Sequence, residues 1–266
     1  MKIRGKILIF VLLLLILIPF LYIKTNPTIP VLCYHNIATK KGKENFPDEA
    51  SWVITKDNFE DELKYLKKHN YKTLTMREFY EWKQGKINLP YKSVLITFDD
   101  GFLSVYKYAL PLLKKYNMNA TIFVVGKFAE EANEQEWNGN IRTYISKNQY
   151  KKIKKKYPNI EIHSHSYDLH KSGALKNNKE FLINDIEMFN SNIKDTYAYG
   201  YPFGRYNKKM IHALKDSNYK LAFIYGPTRK EYRKTNRKDN NYEIPRLNAS
   251  HDMPIWKFAL RLLMPF

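Results

Sequence analysis

Two adjacent carboxylates, Asp99 and Asp100, end the apolar, β-branched run 93–98 and are followed by Gly101. Neighbours on an extended strand point to opposite faces, so both acids can serve one site only if the chain turns there. Gly101 permits that turn. An Asp-Gly pair is also an ordinary strand-end turn, and alone it decides nothing. A second group puts three histidines, His163, His165 and His170, within eight residues, directly after another strand-like run. His165 and His170 are five apart, a spacing that one helix face does not provide, so a loop must bring them together. Imidazole and carboxylate are ligands that zinc and similar divalent ions take at catalytic sites. One aspartate and two histidines would leave positions for water and substrate, an arrangement suited to metal-assisted hydrolysis. A third histidine, His35, ends the run 30–35; its position at a strand end is what draws interest.

The elements that must hold these residues follow from periodicity. Runs 30–35, 93–98, 120–125, 159–163, 197–201 and 221–225 read as strands, several of them apolar throughout. The runs 58–68, 105–116, 181–193 and 208–216 carry apolar residues at helical spacing. Alternating strands and amphipathic helices predict βα units and a parallel sheet covered on both faces. No glycine-rich phosphate loop follows a strand, which argues against a dinucleotide fold. The expected architecture is therefore α/β, a barrel or partial barrel with its chemistry at the C-terminal ends of the strands. The polar, lysine-rich stretch 130–157 is expected to be a surface insertion with one basic helix.

Composition agrees with one large domain: 266 residues, 44% hydrophobic and 15% aromatic, enough for a sizeable core. The single cysteine, Cys33, excludes an intrachain disulfide and a multi-cysteine zinc site; it is expected in a buried strand. The 45 Lys and Arg against 26 Asp and Glu, a formal net charge of +19, read first as a solvated basic surface, with anionic cell-wall or lipid contacts as the alternative. No nucleic-acid-binding signature accompanies that charge.

Residues 7–23 carry no charge and follow Lys2, Arg4 and Lys6. A helix of that length spans roughly 26 Å, near the lower limit for a bilayer, and the preceding cations orient it with the N-terminus inside. No small-residue cleavage site follows. The expected organisation is a cytoplasmic stub at 1–6, a transmembrane signal anchor at 7–23, a linker at 24–29 and an extracellular catalytic domain at 30–266. Secretion after cleavage is the alternative. The tail 253–266 reads as a short, apolar, slightly basic helix, packed on the domain or lying on the membrane surface.

The strand-end Thr97-Phe98-Asp99-Asp100-Gly101 together with the histidine motif resembles the NodB-homology polysaccharide deacetylases, over roughly residues 28–226. The five-residue histidine gap, the first-strand His35 and Tyr201-Pro202-Phe203-Gly204 are most similar to the subgroup that N-deacetylates the intercellular adhesin, poly-β-1,6-N-acetylglucosamine, of biofilms. The resemblance implies a distorted (β/α) barrel and a metal-dependent hydrolase acting on linear amides of a polysaccharide. Asp100, His165 and His170 would hold the metal, zinc foremost, with cobalt, nickel or iron as alternatives. Asp99 would be the general base and His35 the general acid, with His251 as rival. Tyr201, Pro202 and Phe203 would line the substrate site, and a backbone amide there would face the oxyanion. The family's arginine that holds the base carboxylate is missing at Gly200, and His163 is an extra histidine that could support the metal ligands. Peptidoglycan or another acetylated glycan is the alternative substrate, and a non-catalytic glycan-binding protein the alternative class.

Overall fold

The computed structural model describes residues 28–171, 176–226 and 233–263. The proposed anchor at 7–23 lies outside them; among the described residues no helix is long and apolar enough to cross a membrane. Ten strands are present there: β1 (Val31–Tyr34), β2 (Asn36–Ala38), β3 (Val53–Thr55), β4 (Lys72–Thr73), β5 (Ser93–Phe98), β6 (Ala120–Val124), β7 (Ile160–Ser164), β8 (Ala198–Gly200), β9 (Leu221–Phe223) and β10 (Leu247–Asn248). Eight form a curled parallel sheet in the order β10-β1-β5-β6-β7-β8-β9, with β4 also paired to β5. Ile244 bridges to Phe223 of β9, and Leu247 pairs with Leu32 of β1. One short segment thus links the two edges of the curled sheet. β2 and β3 form a separate parallel pair.

Strand alternation sorts the core into an inside and an outside. Val31, Leu95, Phe123, Ala198, Leu221, Phe223 and Ile244 belong to one cluster, which also takes in Phe79 and Trp82 of helix Met76–Lys83. Their sequence neighbours Leu32, Ile96 and Ile122 belong to another cluster, shared with helices Lys56–Lys68, Leu110–Tyr116 and Lys147–Lys156. Helices Lys179–Asn192 and Lys208–Asp216 cover the β8–β9 side. Because the sheet is parallel, all its strands end on the same rim.

The stretch 130–157 departs from the expected surface insertion. Its basic helix Lys147–Lys156 is set by a Ser146–Gln149 capping box and buries Tyr150 and Ile153 against the sheet. The preceding loop turns Ile141, Arg142 and Tyr144 towards the rim cavity. Its lysines are solvated while its other face packs; average polarity hides a one-sided pattern. Helix 105–116 also differs: Val105–Ala109 is a π-turn before α-helix Leu110–Tyr116.

A buried acid of helix Lys56–Lys68, Glu62, meets the end of β1. Tyr34 donates its hydroxyl to Glu62 Oε2 at 2.7 Å, and Glu62 Oε1 has no partner. Burial raises the Glu62 pKa from 4.5 to about 8. The unfolded chain ionises this group above its ordinary pKa, whereas the folded chain does so only near pH 8. Stability is therefore unaffected by the group below the unfolded pKa and is lost as pH rises towards 8, amounting to about 3 kcal/mol at pH 7. Glu62→Gln keeps an acceptor for Tyr34 and removes the penalty. Urea melts should show it more stable than wild type by about that amount at pH 7, with the gap closing near pH 4.

Candidate active site

The alternation that sorts the core also aims the site. Counting up each strand, the inward positions past the last apolar layer are His35 after β1, Asp99 after β5, His165 after β7, Gly200 at the end of β8, and Arg246 just before β10. Asp100 would point outwards if the chain stayed extended. Instead it takes φ +69° and Gly101 φ +76°, which turns the second carboxylate back to the same rim. Gly101 has no substitute here: a Cβ would lie 2.3 Å from the Tyr150 hydroxyl and 3.1 Å from Val124.

Asp100 Oδ1 lies 3.3 Å from His165 Nε2 and 3.0 Å from His170 Nε2. Three such ligand atoms lie within reach of one ion. His165 Nδ1 is 2.8 Å from the Gly200 carbonyl; a carbonyl only accepts, so Nδ1 carries the proton and Nε2 is the ring atom that faces Asp100. Asp100 Oδ1 is buried and accepts no hydrogen bond. Lone pairs directed at one another in a buried place make sense when a cation lies between them. Ligands about 2.0–2.2 Å from a tetrahedral ion are roughly 3.3–3.5 Å apart, close to what is found, so these residues fit a divalent ion. Burial raises the Asp100 pKa, but in the place of an ion the imidazoles supply N–H groups and positive charge and hold the carboxyl well below the usual range. For His170, burial pulls down and Asp100 pulls up, and the carboxylate prevails. Gly200 matters for the same geometry, because a Cβ there would come to 3.0 Å from His165 Nδ1.

Asp99 is held by a residue that sequence reasoning did not identify. Arg246 Nη1 and Nη2 donate to its Oδ1 and Oδ2, each at 2.7 Å, in a bidentate pair buried on both sides. The arginine missing at Gly200 is thus supplied from the start of the linking segment, far away in the chain. A signal was available: a lone Arg between Pro245 and Leu247 in an otherwise apolar stretch. Burial opposes ionisation of Asp99, and the Arg246 guanidinium outweighs it, leaving the carboxyl below its ordinary pKa.

His35 stands beside this pair, with Nε2 4.0 Å from Asp99 Oδ2. Ser250 Oγ is 3.2 Å from the Cys33 carbonyl and 2.8 Å from His35 Nδ1. It therefore donates to the carbonyl and accepts from Nδ1–H, leaving Nε2 for the cavity. Burial lowers the His35 pKa, with Asp100 and Asp99 opposing. His251 does not line the cavity that holds His35, Asp99 and Asp100. Cys33 is buried as expected, its thiol 3.5 Å from Asp99 Oδ2.

That cavity has a volume of about 730 Å³ and is rimmed by Trp52, Tyr144, Phe203 and Tyr225. Of the three residues expected to meet substrate, only Phe203 lines the cavity: half exposed, it packs on His170 with ring centroids 4.3 Å apart. Tyr201 and Pro202 are core residues. The Tyr201 hydroxyl donates to the Tyr242 carbonyl, and its amide donates to Phe223. Pro202 has no N–H, so Phe203 is the one amide of the three not committed by these bonds. His163 is also corrected. It faces inwards one layer below His165, with Nδ1 towards Thr196 at 3.3 Å and its ring edge-on to Tyr197. It touches no ligand of the metal group, and burial lowers its pKa to about 3.

Comparisons with known proteins agree with this geometry. The polysaccharide deacetylase family model matches residues 86–222. A poly-β-1,6-N-acetyl-D-glucosamine N-deacetylase of Staphylococcus aureus is 30% identical over 243 residues, covering 83% of this chain and 78% of the relative. Its Staphylococcus epidermidis counterpart is 30% identical over 241 residues, with the same coverage. Among solved structures, IcaB from Ammonifex degensii superposes with TM-score 0.70 at 25% identity, covering 90% of this chain and 98% of that one. The Streptococcus pyogenes deacetylase PplD shares the fold, with TM-score 0.75 at 22% identity, covering 90% and 99%. A paired base carboxylate, an Asp-His-His group on one rim and this degree of similarity lead to one conclusion: the chain belongs to the polysaccharide deacetylase family and is an enzyme of that class.

Proposed function

We propose that the protein removes N-acetyl groups from poly-β-1,6-N-acetyl-D-glucosamine. The observation that carries the chemistry is the Asp100–His165–His170 group opening into a cavity that also receives Asp99 and His35. The substrate rests on the relatives at 30% identity whose names specify that polymer. Asp100, His165 and His170 would hold a divalent cation, with zinc the first choice for this ligand set. Such an ion, when bound, polarises an acyl oxygen and makes water more acidic.

The remaining work falls to the chain itself. Asp99, ionised and fixed by Arg246, takes a proton from the attacking water. His35, with its Nδ1–H held by Ser250, receives at Nε2 the proton that Asp99 took from water, the two atoms being 4.0 Å apart, and passes it to the departing sugar amine, a step usually worth about 10²–10⁴-fold. The Phe203 amide can donate to the oxyanion. Trp52 and Phe203 are exposed aromatic rings at the mouth, the kind of side chain that packs on sugar rings. His35→Gln should lower kcat by about 10²-fold or more while His251→Gln stays near wild type; the reverse order would transfer the acid role to His251.

The deciding assay measures acetate release from β-1,6-linked N-acetylglucosamine oligomers with and without chelator, the metal being identified by elemental analysis. Release that stops on chelation supports the reading. Release only from peptidoglycan or another acetylated glycan would replace the substrate and keep the reaction.

For localisation, the uncharged run 7–23 behind Lys2, Arg4 and Lys6 supports a membrane anchor with the catalytic domain outside the cell. A mature protein beginning near residues 25–30 would instead mean a secreted form.

A further inference from the structure

Helix Ile255–Leu263 carries an apolar face that no described residue covers. Ile255, Trp256, Leu260 and Leu263 are 42%, 63%, 41% and 49% exposed. The other exposed large hydrophobics are dispersed: Trp52 and Phe203 stand at the cavity mouth, and Tyr91, Phe181 and Met188 come from two other places in the chain. On a 3.6-residue wheel, Trp256, Leu260 and Leu263 fall within one narrow sector with Ala259 beside them, while Phe258 and Leu262 point the other way and are buried. Lys257 is exposed on the flank of the stripe. The helix is not loosely held. Phe258 packs edge-on to Tyr65 at 6.0 Å, and Arg261 donates to the Asn248 carbonyl of β10.

Two further observations bear on what covers the face. The first concerns the helix end. Lys234 Nζ donates to the carbonyls of Leu262 and Leu263 at 3.3 and 3.0 Å, and Lys234 itself is buried. The last carbonyls of a helix normally rely on water or a cap. Here a buried ammonium satisfies the last two and offsets the negative end of the helix dipole, which lowers the cost of covering this end with an apolar medium. The second concerns chain direction. Thr235, next to Lys234, pairs with Ile29 in a two-hydrogen-bond antiparallel bridge, 2.8 Å each way. Ile29 lies six residues after the uncharged run 7–23. The apolar run therefore joins the fold beside the C-terminal end of this apolar-faced helix.

We propose that helix Ile255–Leu263 is a second membrane contact: its Trp256–Leu260–Leu263 face lies in the interfacial layer of the bilayer entered by residues 7–23, with Lys257 at the level of anionic headgroups. An amphipathic helix with apolar residues on one side and cations beside them binds a lipid surface in this way, and Trp is at home at that depth. The helix begins just after Ser250, which holds His35, and runs back towards Ile29. Seating it on lipid would hold the cavity rim at a fixed place near the membrane surface. The inference rests on the anchor reading for its location and is independent of the substrate.

The test reconstitutes the full chain into vesicles of phosphatidylglycerol and phosphatidylcholine, the latter with or without brominated acyl chains. The chain has four tryptophans, of which Trp82 is fully buried, Trp137 half-buried and Trp52 at the mouth. Wild type should lose emission in brominated vesicles, and Trp256→Phe should abolish most of that loss. A Leu260→Glu, Leu263→Glu variant, altered only at exposed positions, should also escape quenching while releasing acetate from a soluble oligomer at the wild-type rate. Equal quenching in wild type and Trp256→Phe would overturn the proposal. So would an unquenched Trp256 with concentration-dependent cross-linking through this helix, which would make a second copy the occupant. A chain that does not associate with vesicles at all would overturn the anchor and this contact together, leaving the deacetylase reading intact.

Discussion

Asp100→Ala is expected to remove both metal binding and deacetylation, whereas Asp99→Asn keeps the metal and loses turnover. The two residues are adjacent, of the same type and both buried, yet their surroundings assign them different work. Asp100 faces the Nε2 atoms of two imidazoles and offers an oxygen that accepts no hydrogen bond. Removing it leaves two histidines, too few ligands to retain the ion through purification. Asp99 reaches none of those atoms; its oxygens are taken by Arg246. An amide at that position preserves the volume and cannot accept the water proton, so a fall in kcat of about 10²–10⁴-fold is expected from the loss of a general base. Elemental analysis of the purified variants and acetate release on one substrate series separate the two effects. Near-normal turnover in Asp99→Asn would overturn the base assignment, and full metal content in Asp100→Ala would overturn the ligand assignment.

Arg246→Met should be the most destabilising single change at the site. Removing one partner of a buried ion pair leaves the other charge uncompensated, at a cost of about 3–5 kcal/mol. Asp99 has little else to turn to: the Cys33 thiol is 3.5 Å away and His35 Nε2 is 4.0 Å away. The guanidinium also fills space beside the rings of Phe123 and Tyr225, its carbon 5.7 and 5.8 Å from their centroids; Met replaces that volume and not the charge. The double variant Asp99→Asn, Arg246→Met removes the orphaned carboxylate as well. It should regain most of the lost stability and none of the activity, a non-additivity that a double-mutant cycle by urea melts measures directly. Arg246→Lys should fall between, since a single ammonium keeps the charge and cannot reproduce two parallel bonds. If Arg246→Met melts within about 1 kcal/mol of wild type, the pair does not hold the base as described.

Much of the site was legible because its residues sit where strand periodicity ends. The run 93–98 matches β5 residue for residue, and alternation along it aims Asp99 inwards. The need for a turn at Asp100 followed from the same rule, and the positive φ at Asp100 and Gly101 meets it. The run 208–216 likewise matches helix Lys208–Asp216, whose start Asn207 caps in the structure. By contrast, Tyr201 and Pro202 were assigned to the substrate by their place in a motif, and packing decided otherwise: a tyrosine whose hydroxyl finds the Tyr242 carbonyl is worth more to the core than to a solvent-facing rim. The stretch 130–157 misled in the opposite direction, because its lysines outnumber the few apolar residues by which it packs.

Sequence by itself determined the chemistry that the chain can attempt: two carboxylates, His165 and His170 at the ends of apolar strands, with Gly101 to bend the first pair. These are local facts, set by residue type and by the period of the element. What only the tertiary structure decided are the partners that arrive from far along the chain. Arg246 meets Asp99 across 147 residues and Ser250 meets His35 across 215. Both come from the short segment that links the edges of the curled sheet, and no periodicity announces it. The physical reason is that a buried charge must be compensated, while sequence spacing places no limit on where the compensating group lies.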